Sequence, residues 1–206
     1  MTTVRQRQNS GARLSLLAAL ALSLAACQPP GPVGDTATVA IADPADQGCA
    51  ASAKAVWIDQ ETPLRRYTAE ARTFGPTCEA AAAVLVVRAR EGSPVLVWAG
   101  AVQHLFGLKD ANDPAAMTSA LAEWIDQSGS IYPTSDRLPE WPAGADAPEA
   151  GEFPFYPEDG IDWSYWEELR RSASDVFCFP QGMESTRCAV LRDGQLEMIG
   201  VQTFPG

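Results

Sequence analysis

The amino-acid sequence predicts an α+β fold: an antiparallel sheet with two helices packed on it, stapled by two disulfides. Three observations lead there. Strand-like runs with turn signals crowd both ends of residues 49–206, two capped helices lie between them, and four cysteines fall in the same span. Strands grouped apart from helices, without strict alternation, argue for antiparallel pairing with the helices packed against a sheet.

The elements follow in chain order. Residues 55–58 (AVWI) and 67–74 (YTAEARTF) read as short strands. Residues 83–90 (AVLVVRAR) and 95–102 (VLVWAGAV) are β-branched runs separated by the turn-forming Glu91, Gly92, Ser93 and Pro94, which makes a β-hairpin. Their apolar residues fall on both faces, so both faces of this part of the sheet are expected to be covered. Asp113 is a good N-cap, Pro114 suits the first helical position and Gly129 can close the helix. Met117, Leu121 and Trp124, at i, i+4 and i+7, give that helix one apolar stripe.

From 128 to 161 the period disappears, and Pro133, Pro139, Pro142, Pro148, Pro154 and Pro157 exclude long regular elements. Asp162 then caps a second helix that runs to Ser172, with Arg170 and Arg171 at the end where cations complement the helix dipole. Three strands follow at 175–179, 186–192 and 195–203, the last two joined by the hairpin signal Asp193-Gly194. Both β-rich halves can contribute to one sheet; two small subdomains are the alternative.

The N-terminal 26 residues have the parts of an export signal. Arg5, Arg7 and Arg13 form a basic region without an acid, and residues 14–26 form an apolar run shorter than the roughly 20 residues a membrane-spanning helix needs. The run ends in Leu24-Ala25-Ala26-Cys27, which resembles the lipobox of bacterial lipoproteins. The resemblance implies cleavage before Cys27, a diacylglyceryl thioether on its sulfur and an acylated amine. In many Gram-negative lipoproteins an Asp in the next position favours the inner membrane. Gln28 stands here, which implies the outer membrane, with the body facing the periplasm. Residues 27–48, rich in Pro, Gly, Ala and Asp, read as a lipidated flexible tether with a reach of about 25 Å. Residues 49–206 then form one α+β domain carrying the long Pro-rich acidic loop at 128–161.

Charge narrows the partners. The whole chain carries a formal charge of −11, and loss of the three signal-segment arginines takes the mature chain to −14. Such a body is repelled by nucleic acid and by anionic lipid headgroups, so no nucleic-acid partner is expected. The expected partners are the membrane, through the N-terminal lipid, and another envelope protein.

The cysteines divide by role. Lipidation consumes Cys27 and leaves Cys49, Cys78, Cys178 and Cys188, an even set in an oxidising compartment. No pair has C-x-x-C spacing, so disulfides are expected in preference to a metal site. Cys178 and Cys188 lie in consecutive strands around a Pro180-Gln181-Gly182 turn signal, so antiparallel pairing brings them together. Cys49 and Cys78 then pair with each other. Crossed pairings would tie the two β-rich halves together and are the alternative.

Chemistry leaves few marks. His104 is the single histidine, so any imidazole-based metal site or nucleophilic pair would have to use it. No G-x-S-x-G, S-x-x-K, H-E-x-x-H or phosphate-loop motif occurs, and neither a catalytic residue, a metal ligand nor a cofactor is nominated. The richest stretch is residues 152–166 (EFPFYPEDGIDWSYW), where six aromatics interleave with four acids. Glu158, Asp159, Trp163 and Trp166 are its candidate ligand residues. Aromatic faces beside carboxylates suit a sugar-binding or sugar-cleaving cleft. The plainer reading is that the rings fasten a long loop to the sheet, Asp162 caps a helix and the remaining acids stay in water. The functional expectation is a membrane-anchored envelope lipoprotein with a non-catalytic binding or scaffolding domain. A cell-wall glycan-binding or glycan-cleaving domain built on 152–166 is the alternative.

Overall fold

The computed structural model describes residues 48–58, 66–126, 130–149 and 151–204. The signal segment, Cys27 and the tether through residue 47 lie outside the described residues, as does Gly129.

The fold is α+β, with all strand pairing antiparallel, and its strands divide into two four-stranded sheets. The first sheet has the order β1 (Ala51–Ile58), β2 (Arg66–Phe74), β3 (Ala82–Arg88), β4 (Pro94–Ala101). Its inner face follows from strict alternation in β2 and β3: Tyr67, Ala69, Ala71, Ala83, Leu85 and Val87 are buried. The alanines leave room for large rings above them. Helix α1 (Pro114–Trp124) lies against β1 and sends Met117, Leu121 and Trp124 into the same core, as the i, i+4, i+7 stripe requires.

The second sheet has the order β5 (Phe155–Pro157), β8 (Gln195–Thr203), β7 (Ser185–Arg192), β6 (Val176–Pro180). β6 is an edge strand of this sheet but is buried on both faces, which explains its unbroken apolar run VFCFP. Phe177, Phe179, Ala189, Leu191 and Leu196 join the core shared with the first sheet and α1. Val176, Cys178, Cys188, Val190 and Ile199 face a second core formed with helix α2 (Trp163–Ser172) and the 132–155 loop. The sheets meet through rings: Trp57 lies 5.4 Å from Phe177 and Trp98 lies 5.3 Å from Phe179, both edge-on. Edge-to-face packing at this spacing adds to simple burial.

The expectation that both faces of the first hairpin are covered is corrected by the structure. The outer face of the first sheet is open, with Val56 62% and Val97 63% exposed. Charge explains how that face remains in water. Glu70, at its centre, accepts a hydrogen bond from Lys54 Nζ at 2.7 Å and has Arg88 and Arg72 at 3.6 and 3.9 Å. These cations, Lys54 foremost through its hydrogen bond, hold the Glu70 carboxyl below its ordinary pKa.

The two disulfides join Cys49 to Cys78 and Cys178 to Cys188, the local pairing that the strand argument predicts. Cys178 and Cys188 are cross-strand partners on β6 and β7. Cys49 is fully buried, and its amide donates to the Gly75 carbonyl at 3.0 Å, so the bridge fixes the entry of the chain into β1. The Cys49–Cys78 bridge spans 29 residues and the other spans 10. Closing the longer loop removes more unfolded-chain entropy. Cys49→Ser with Cys78→Ser is expected to lower stability by about 3.5 kcal/mol, against about 2.5 kcal/mol for Cys178→Ser with Cys188→Ser. Urea midpoints under oxidising conditions measure both. Equal midpoints for wild type and the first pair would refute a structural role for that bridge.

Candidate functional site

The aromatic and acidic stretch singled out in the sequence does not gather into one cleft. Trp166 is fully buried in the second core, its Nε1 donating to the Pro139 carbonyl at 2.9 Å. Its ring packs on Phe155 at 5.1 Å and on Trp141 at 6.1 Å. Trp163 is 46% exposed, but its Nε1 is spent on the Trp141 carbonyl at 2.7 Å. Glu158 is paired with Arg187 at 3.4 Å, and Asp159 stands exposed in the turn before α2. Asp162 caps α2, accepting from the Tyr165 amide at 2.8 Å. Tyr165 in turn donates its hydroxyl to the Glu197 carboxylate at 2.7 Å, with Arg192 5.2 Å above the ring. Burial, reinforced by the Glu197 charge, pushes the Tyr165 phenol above its ordinary pKa. These contacts fasten the loop and α2 to the second sheet.

His104 ends a short 3₁₀ turn (Val102–His104), exposed, with Gln103 Nε2 at 3.1 Å from its Nε2. Among the described residues no group of three or more His, Cys, Asp or Glu side chains is placed to hold a metal ion.

A groove of about 560 Å³ opens elsewhere, lined by Phe106, Pro180, Met183, Phe204 and the polar edge Glu184, Ser185 and Thr186. Local chain geometry builds it from three segments. Leu105 and Leu108 are buried and pin their loop to the core, while Gly107, at φ +81°, turns the chain so that Phe106 is left 61% exposed between them. The Phe106 amide donates to the Gly182 carbonyl at 3.2 Å, which ties this loop to the β6–β7 turn. The Phe204 amide donates to the Glu184 carbonyl at 2.7 Å and brings in the chain beyond β8.

Further apolar residues extend the surface. Phe153 packs on Phe204 at 5.1 Å, and Ile131 lines a smaller groove that shares Pro180 and Thr186 with the first. Phe106, Ile131, Phe153 and Met183, half of the exposed large apolar side chains among the described residues, thus lie at this end of the second sheet. An exposed apolar concentration of this kind marks a contact surface. Its polar edge offers one carboxylate and two hydroxyls.

No family model matches this chain, and no curated protein or solved structure shows significant similarity to it.

Proposed function

We propose that the protein is a membrane-anchored envelope lipoprotein whose domain binds an apolar segment of another envelope protein without catalysing a reaction. The anchor rests on the lipobox-like sequence ending at Cys27. The binding role rests chiefly on the groove beside Phe106, where a large ring stands 61% exposed on a loop that is itself pinned on both sides. A rigidly held, exposed aromatic loses little conformational freedom on association, which is the property of an interface anchor. The glycan alternative loses support because Trp166 is inaccessible and Glu158 is engaged by Arg187.

Photo-cross-linking in intact cells tests this reading. A photoreactive residue at position 106 or 183 is expected to give one discrete protein adduct, and one at the exposed Gln195 is expected to give none. Phe106→Asp is expected to leave stability within about 0.5 kcal/mol of wild type, because the ring is already mostly in water. The same change is expected to weaken partner binding at least tenfold, as loss of an interface anchor of about 2 kcal/mol would. No adduct from either groove position would overturn the proposal, and adducts to glycan would move it to the alternative.

A further inference from the structure

The net charge of the chain conceals a strong asymmetry. Between residues 109 and 204 there are 18 acids against 6 Lys and Arg. The open face of the first sheet has the opposite sign. Among the described residues, strand alternation and pairing place Lys54, Arg66, Arg72 and Arg88 on that face with a single acid, Glu70. Lys54, Arg72 and Arg88 surround Glu70, and one carboxylate cannot neutralise them all. The exposed Val56 and Val97 lie on the same face, through the pairings Val56↔Thr68 and Val97↔Val86↔Glu70. A flat, cationic surface carrying exposed valines is complementary to an anionic surface with apolar material beneath its charges.

We infer that this face lies against the anionic lipid headgroups of the membrane that holds the anchor, orienting the domain so that its acidic side and the Phe106 groove are free for a partner. The inference rests on the lipid-anchor reading. Proximity supports the choice of occupant: 21 residues separate Cys27 from Cys49, and β1, an edge strand of the sheet concerned, begins at Ala51. A chain of that length spans at most about 75 Å even when fully extended, so the domain stays beside the membrane that holds the anchor. Cations near an anionic bilayer are attracted within about a Debye length, while acids held on the far side of a domain are largely screened from it. The overall charge of −14 therefore opposes free approach but sets the orientation of a domain already tethered.

The chain carries its own reporter, because Lys54 and Lys109 are its only lysines. Lys54 lies on the proposed face, and Lys109 lies exposed in the loop after Leu108. The experiment takes the mature lipidated protein, reconstituted in vesicles of phosphatidylcholine alone or with phosphatidylglycerol, and modifies it briefly with an amine-acylating reagent. Mass spectrometry of the digest gives the Lys54-to-Lys109 labelling ratio. The ratio is expected to fall roughly threefold or more in the anionic vesicles only, and to recover at about 0.5 M salt, where the Debye length is a few ångströms. Arg72→Glu with Arg88→Glu, both outside the core, should remove the protection. An equal ratio in the two lipid compositions, or protection that survives high salt, would overturn the inference. Protection already present in phosphatidylcholine would also overturn it and would indicate a second copy of this chain covering the face. The mass of the Cys27 peptide in the same digest separates the two readings. An unmodified Cys27 ends the anchor reading and this inference together, whereas an acylated Cys27 with an unprotected Lys54 ends this inference alone.

Discussion

Trp166→Ala is expected to lower the unfolding free energy by about 3–5 kcal/mol, the range for removing a fully buried large ring. The ring is the centre of the second core, touching Phe155 and Trp141, and it also binds the loop through the Pro139 carbonyl. Alanine would leave a cavity between α2 and the second sheet and an unpaired carbonyl in the loop. The loop would lose its anchor at Pro139 and keep its other bonds, among them Ser135 Oγ to the Leu169 carbonyl at 2.6 Å, Arg170 Nε to the Leu138 carbonyl at 3.2 Å and Trp163 Nε1 to the Trp141 carbonyl at 2.7 Å. Faster proteolytic cutting within residues 139–149 should therefore accompany the stability loss. Trp166→Phe keeps most of the ring volume and should recover more than half of the lost stability. Trp163→Ala, at a half-exposed position, should cost about 1 kcal/mol or less. Chemical unfolding of the four proteins measures the series. Equal midpoints for Trp166→Ala and wild type would mean that this ring is not structural and would restore it to a ligand-binding role.

The two tryptophans show where sequence reasoning stopped. Composition places aromatics beside acids in 152–166 but does not say which way a ring points, and the inward turn of Trp166 depends on Phe155 and on a loop 27 residues upstream. Local signals served better. Asp113 accepts from the Ala115 and Ala116 amides at 2.9 and 2.8 Å, and Asp162 from the Tyr165 amide, so both helix starts lie where their caps predict. The Asp193-Gly194 turn and the cross-strand cysteines were likewise readable, because strand pairing over a short turn is a local event.

Long-range features were not readable. β5 is three residues that follow Pro154 and end in Pro157, and it exists because β8 supplies a partner at residues 200–202. Gly200, at φ +152°, has no Cβ and so lets the Tyr156 carbonyl and the Phe155 ring approach. The division into two sheets depends on ring contacts such as Trp57 with Phe177, 120 positions apart. The groove follows the same rule. Phe106, Met183 and Phe204 are isolated apolar residues in three separate loops, and two backbone hydrogen bonds bring them together. The openness of the first sheet was partly encoded, since Lys54, Arg72 and Arg88 alternate with buried alanines and valines. The valines among them masked the signal.

Cys27→Ser is expected to abolish acylation completely and to leave unprocessed precursor or soluble product. The lipobox-like Leu24-Ala25-Ala26-Cys27 supplies the only thiol the four-cysteine disulfide set leaves over. Among the described residues no helix is long and apolar enough to cross a membrane. A single acyl chain binds a bilayer only reversibly, whereas two or more inserted together hold firmly. On the lipid-anchor reading, a processed chain without the acylated cysteine therefore lacks the firm attachment. What would remain, under the inferred orientation, is the cationic face of the first sheet, a salt-sensitive attraction opposed by the acidic remainder of the chain. A chain beginning at Gln28 should accordingly fractionate as soluble at physiological salt, with its fold intact, because Cys49 and everything after it are retained. Metabolic labelling with a fatty-acid analogue should mark the wild type and leave Cys27→Ser blank. A labelled Cys27→Ser protein would refute lipidation at this residue, and a Gln28-start chain still tightly membrane-bound at high salt would reveal an attachment stronger than the sheet face supplies.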